Sequence, residues 1–120
     1  MAFKFEELTI WQKALEISSK VNELSKKFPK EEIYVLTSQI KRAADSISLN
    51  IAEGSTGQSD AEFNRFLGIA MRSAIEVIAC LYIARKREMI NDNQFNELYN
   101  EIESLIVSIQ SLRKILKIKK

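Results

Sequence analysis

The sequence predicts an all-α protein, an antiparallel up-down-up-down four-helix bundle with left-handed packing. Three observations lead there: apolar residues recur at alternating steps of three and four along most of the chain, chain breakers gather at three points, and no segment shows the alternation of a half-buried strand. With three glycines and one proline in 120 residues, the chain has few places to reverse, so the segments between breakers are long. One domain covering residues 1–120 is expected, burying roughly two-thirds of its unfolded surface.

The first helix is expected over about residues 10–27. Thr9 and Gln12 have the spacing of a capping box, and Ile10, Ala14, Ile17, Val21, Leu24 and Phe28 share one face. Pro29 pushes its predecessor out of helical geometry and ends the helix. Residues 1–8, with Phe3, Phe5 and Leu8, form an arm tucked onto the bundle. The second helix, about 32–53, carries Ile33, Leu36, Ile40, Ala43, Ile47 and either Asn50 or Ile51, and stops at Gly54, a residue suited to a left-handed cap. After a turn over 54–58, Ser59 and Glu62 make the best capping box in the chain. They open a third helix, about 60–89, with Phe63, Leu67, Ala70, Ala74, Val77, Leu81 and Ala84 on its core face. Residues 91–93 turn the chain into a fourth helix, about 93–117, where Phe95, Leu98, Ile102, Leu105, Ile109, Leu112 and Leu116 keep heptad spacing.

Composition narrows the chemistry. The chain has no histidine, hence no imidazole base, no Ser/His or Cys/His pair and no imidazole-based metal site. Its one cysteine, Cys80, lies in an apolar run with no identifiable base and reads as a small buried hydrophobe. Glu53, Glu62 and Glu76 are the inward carboxylate candidates and are spread over several turns, so neither a metal centre nor another cofactor is expected. The longest uninterrupted apolar run, residues 77–84, has eight residues, short of the roughly 18 that would suggest a membrane span. With no signal-like N-terminal pattern and one unpaired thiol, a cytoplasmic protein without a membrane partner is expected.

A polar line runs beside the apolar face of the second helix: Gln39, Arg42, Ser46, Asn50 and Glu53. The third helix offers a matching line of Glu62, Arg65, Ile69, Ser73 and Glu76. Antiparallel neighbours would set Gln39 by Glu76, Arg42 by Ser73 and within reach of Glu76, and Asn50 by Arg65. Such a stripe is either a ligand or nucleic-acid groove or a hydrogen-bonded network that fixes helix register, and the presence of both charge signs favours the network.

Several motifs resemble a known family. The stretch Phe28-Pro29-Lys30-Glu31-Glu32, then Leu36-Thr37-Ser38-Gln39-Ile40-Lys41-Arg42-Ala43-Ala44, then Ser46-Ile47 and Asn50-Ile51-Ala52-Glu53-Gly54 is similar to the signature of the four-helix-bundle proteins encoded in intervening sequences of 23S rRNA genes. Leu8, Trp11, Gln12, Lys13 and Ala14 resemble the family's opening, and Glu62-Phe63, Phe66-Leu67, Ile69-Ala70, Ser73 and Glu76 its third helix. The chain departs from the pattern at Gln58, Arg72 and Ile78, where a basic residue, a glycine and a glutamate are usual. The resemblance implies an antiparallel bundle assembled as a homopentameric ring. It also implies kinship with the accessory proteins of diversity-generating retroelements, a basic ring that binds nucleic acid and a reverse transcriptase.

Eighteen basic against sixteen acidic residues leave a net charge of only +2, so any electrostatic role rests on distribution. One pole of the bundle gathers Lys26, Lys27, Lys30, Arg85, Lys86 and Arg87. The other receives the end of helix four, where residues 104–120 hold Arg113, Lys114, Lys117, Lys119 and Lys120 and no acid. Basic residues at helix C-termini also offset the helix dipole. A ring, however, repeats each cluster around an axis and sums the fields, and Ile75, Ile78, Tyr82 and Ile83 are apolar residues that need cover. The expected function is a non-enzymatic homo-oligomer, a pentamer by the resemblance, that binds RNA or DNA through these clusters. The alternative is a protein-interaction scaffold whose partner is another protein.

Overall fold

The computed structural model describes residues 2–57 and 59–118. Gln58, in the expected second turn, and Lys119 and Lys120, in the basic tail, lie outside the described residues. Four helices, α1 Thr9–Ser25, α2 Leu36–Ser55, α3 Asp60–Lys86 and α4 Asp92–Ile118, make a bundle 47 × 24 × 22 Å. Each helix packs on its sequence neighbour and α1 closes the ring against α4, while the backbones of the diagonal pairs stay farther apart than 8 Å between Cα atoms among the described residues, as up-down-up-down packing requires. The largest interface is α2 with α3, the smallest of the four α1 with α4.

The core follows the heptads. Ile10, Ala14, Ile17 and Val21 of α1, Leu36, Ile40, Ala43, Ile47 and Ile51 of α2, every expected position of α3, and all of α4 except half-buried Leu112 are buried. Ala43, Ala44, Ala70 and Ala74 are buried small residues of α2 and α3, and Ala43 lies beside Ser73 and Glu76 at the seam between the two helices. Gly54 serves the same seam. It is not the left-handed terminator expected: α2 runs through it to Ser55, and a Cβ at Gly54 would sit 2.5 Å from Phe66 Cβ and 3.1 Å from the Phe63 ring. Absence of a side chain, not a special φ, is what this position needs.

The helix ends show where local patterns gave way. The Thr9/Gln12 box is not made, because Leu8 is the N-cap and Gln12 Nε2 instead donates to Glu6 O at 2.9 Å, tying α1 to the arm. That arm is a 3-10 turn, Lys4–Glu7, with Phe5 set edge-on to Trp11 at 4.9 Å and contacts to α1 and α2. The second helix begins at Leu36, four residues later than expected. Residues Lys30–Glu32 form a 3-10 turn after Pro29, Phe28 closes the core, and Ile33 is left 53% exposed. At α3, Ser59 Oγ accepts from the Glu62 amide at 3.1 Å, as the capping pattern predicts. At α4, Asn91 and Gln94 form a reciprocal box, each side chain accepting the other's backbone N–H at 2.8 Å.

α3 ends at Lys86, three residues early, in a Schellman motif: Met89 N–H donates to Ala84 O at 2.8 Å and Glu88 N–H to Arg85 O at 3.0 Å. Glu88 occupies the left-handed position at φ 58°. By length and composition α3 is also apolar enough to cross a membrane, with a window of mean hydropathy 1.8, of which 39% is buried in the bundle. Counting uninterrupted runs missed this because Arg72 and Glu76 break the run without much lowering the average. Its place between α2 and α4, with one face in the core, accounts for much of that apolarity.

Candidate nucleic-acid interface

The bundle brings the expected basic residues to two opposite ends. At the first, the C-termini of α1 and α3 meet the connection into α2 and the start of α4. Here three of the six cations are already engaged. Lys26 Nζ lies 2.9 Å from Glu23, whose carboxyl it holds below the usual range, and Arg87 lies 3.5 Å from Glu32. Arg85 lays its guanidinium 3.8 Å above the Phe95 ring and 5.2 Å from that of Tyr82, within a cluster that Tyr99 completes. Lys27 lines a shallow groove it shares with Glu23 and Glu97. Lys30 and Lys86 are exposed, and Glu31 and Glu88 are exposed at the same end.

At the second end, Arg113, Lys114 and Lys117 follow one another on the last turns of α4. With Met71 of α3 and Gln110 they line a groove of about 330 Å³. Among the described residues no carboxylate lies within 4 Å of any of the three cations. Arg113 is half-buried and is held by neutral groups: its Nε donates to Asn64 Oδ1 at 2.7 Å and its Nη1 approaches Met71 Sδ at 3.7 Å. The guanidinium rests against Gly68, where a Cβ would come within 3.1–3.2 Å of Cζ, Nη1 and Nη2. Asn64, Gly68, Met71 and Gln110 were not singled out from sequence. The register that pairs Tyr82 with Phe95 carries Asn64 to Arg113, so the α3–α4 seam held the signal.

The polar line between α2 and α3 is brought together in part. Ser73 Oγ donates to Ser46 Oγ at 2.9 Å, Asn50 Nδ2 donates to Ser46 O and Oγ at 2.8 and 2.9 Å, and Gln39 Nε2 reaches Glu76 at a long 3.5 Å. Arg42 shares an open groove of about 480 Å³ with Tyr34, Ser46, Ser73 and Glu76 without a hydrogen bond to any of them. Arg65 does not meet Asn50; it lies 4.6 Å over Phe66, and Glu53 points to solvent. The line is therefore half-open rather than a sealed network. Cys80 is 1% exposed, and burial together with Glu76 raises its thiol to about 11, which keeps it protonated at neutral pH. No group of three or more His, Cys, Asp or Glu side chains placed to hold a metal ion occurs among the described residues.

Comparison with known proteins agrees with this architecture. A protein of unknown function from the S23 ribosomal protein family of Bacteroides thetaiotaomicron VPI-5482, known from a crystal structure, superposes with a TM-score of 0.83 at 28% identity, over 88% of this chain and 99% of that one. No curated protein matches the chain. The family described as 23S rRNA-intervening sequence protein matches residues 6–111, which takes in α1 to α3 and most of α4 and stops short of Arg113, Lys114 and Lys117. On that span the chain belongs to the 23S rRNA-intervening sequence protein family.

Proposed function

We propose that the protein is a non-enzymatic homo-oligomer, its helices packed with the left-handed sense their heptads imply, that binds RNA or DNA electrostatically through Arg113, Lys114 and Lys117. The observation that carries this reading is that these three cations have no carboxylate within 4 Å among the described residues and lie on a stretch of α4 with no acid after Glu103, whereas at the other end Lys26 and Arg87 are ion-paired and Lys27, Lys30 and Lys86 share their end with Glu31, Glu88 and Glu97. Self-association is supported by the outer face of α3, where Ile75, Tyr82 and Ile83 are 54%, 48% and 38% exposed. A ring of copies, as the resemblance implies, would repeat the α4 cluster around one axis and multiply a field that a single +2 protomer cannot produce. The likeness to the basic accessory proteins of diversity-generating retroelements points the same way.

The test is binding of a structured RNA and a duplex DNA between about 50 and 200 mM salt, with light scattering on the same samples. Affinity falls steeply with salt, with little sequence preference. A log–log slope shallower than about −2 on an intact oligomer would overturn the reading, since three phosphate contacts per duplex site already predict about −2.7. The same apolar α3 face favours a second reading, a scaffold for another protein. It predicts capture of a partner that survives both nuclease and high salt.

A further inference from the structure

Arg113 differs from the lysines beside it in being built into place. A guanidinium has five N–H donors in a rigid fork. Here Asn64 takes the Nε–H at 2.7 Å, and Nη1 faces only the thioether of Met71 at 3.7 Å, a weak acceptor. One plane of the group is laid against α3 at Gly68, the residue type that leaves room for it. The result is a half-buried cation whose orientation is set by neutral partners and which has no carboxylate within 4 Å among the described residues. Lys114 and Lys117 share its groove, and Gln110 adds a carboxamide one turn earlier. A planar fork with its charge unspent suits a tetrahedral oxyanion, which it can engage through two parallel hydrogen bonds as lysine cannot.

We infer that this α3–α4 groove is a phosphate subsite: Arg113, aligned by Asn64 and seated on Gly68, receives one phosphate group through its Nη edge, and Lys114 and Lys117 supply the surrounding charge. The inference deepens the nucleic-acid reading, which would make the ligand a backbone phosphodiester. The chemistry alone would equally admit a free phosphate monoester. Gly68 and Asn64 are then positioning residues. The three atoms nearest a methyl at position 68 all belong to the flexible end of the Arg113 side chain, so Gly68→Ala shifts the guanidinium by a few tenths of an ångström rather than forcing the backbones apart.

The experiment follows the Arg113 Nε–Hε NMR signal of the full chain during titration with inorganic phosphate and, separately, with an RNA hairpin. Hairpin affinity is measured in parallel for wild type, Arg113→Lys, Gly68→Ala and Asn64→Ala, each checked for an unchanged helical spectrum. The expected result is movement of the Arg113 signal by both ligands. Arg113→Lys then loses roughly tenfold in affinity with the salt slope retained, because charge is kept and the fork is lost. Gly68→Ala and Asn64→Ala each lose a smaller multiple of the same kind. If phosphate moves the signal and no RNA binds, the subsite stands with a free phosphate ligand and the nucleic-acid reading fails. If RNA binds while the signal is unmoved and Arg113→Lys is neutral, the subsite is overturned and the nucleic-acid reading survives on the lysines alone. No response to either ligand overturns both.

Discussion

The two ends of the bundle carry similar basic residues and treat them differently. At the end formed by the termini of α1 and α3, Lys26 and Arg87 are matched by Glu23 and Glu32, and Arg85 is stacked on Phe95. At the end of α4, Arg113 is oriented by an asparagine and lined up with two lysines in one groove. Counting charges would rank the first end higher. Setting aside the paired and stacked cations leaves Lys27, Lys30 and Lys86 at the first end, beside exposed Glu31 and Glu88, against Arg113, Lys114 and Lys117, on a stretch of α4 that holds no acid after Glu103; a paired surface cation contributes little field beyond a few ångströms and a stacked one is committed to structure.

The widest separation between the ends is expected in binding. Replacing Arg113, Lys114 and Lys117 together by glutamate should lower RNA affinity by roughly a hundredfold or more at low salt and flatten the salt dependence, as expected when about three phosphate contacts are lost. The same replacement of Lys26, Lys27 and Lys30 should change affinity less than about threefold, since Lys26 is ion-paired and Lys27 and Lys30 share their end with exposed Glu31 and Glu88. Fluorescence anisotropy against a hairpin at several salt concentrations reads both, and equal losses at the two ends would break the comparison.

Next in size is a packing effect that separates fold from site. Gly54→Ala at the α2–α3 seam would put a methyl 2.5 Å from Phe66 Cβ, and relieving that clash should cost about 2 kcal/mol in urea unfolding. Gly68→Ala, two turns into α3, has the movable guanidinium of Arg113 as its nearest neighbour and should cost well under 1 kcal/mol, within the usual range of surface substitutions. Two glycines in one bundle thus give opposite assignments, one to stability and one to binding. A smaller but opposite contrast concerns the arginines. Arg85→Ala should lower stability by about 1 kcal/mol through the lost stacking on Phe95 and Tyr82 and leave RNA affinity unchanged. Arg113→Ala should do the reverse, and chemical denaturation beside the anisotropy assay distinguishes them.

How much of this was legible beforehand depends on the range of the interaction. Core positions such as Ile40, Ile47, Leu67, Val77 and Ile102 repeat every three or four residues, and their 0% exposure follows from that period because a helix turns the same face to its neighbours throughout. Helix ends are settled by competition among nearby groups, and the Thr9/Gln12 box lost to a bond from Gln12 into the arm. Gly54 was read by residue type, as a left-handed cap, when its role comes from Phe63 and Phe66 on another helix. The site divides the same way. The basic residues were visible as residues, but whether each is spent on a carboxylate, a ring or nothing depends on side chains such as Glu32, Phe95 and Asn64 that are distant in sequence.

The smallest predicted effect bears most directly on the first end. Glu88 holds φ 58° as the left-handed residue of the α3 Schellman motif, a conformation that strains any side chain and suits glycine. Glu88→Gly should raise stability by about 1 kcal/mol, seen as a rise of about 4 °C in Tm. Glu88→Ala removes the same negative charge but keeps a Cβ in the strained geometry, so it should gain nothing from backbone relief. Both variants also make the first end more positive by one charge. Were that end a nucleic-acid surface, both should tighten RNA binding by a similar factor. With the α4 end as the contact, both should leave affinity unchanged while only the glycine variant melts later, because strain relief belongs to the fold and the phosphate field to the other end of the bundle.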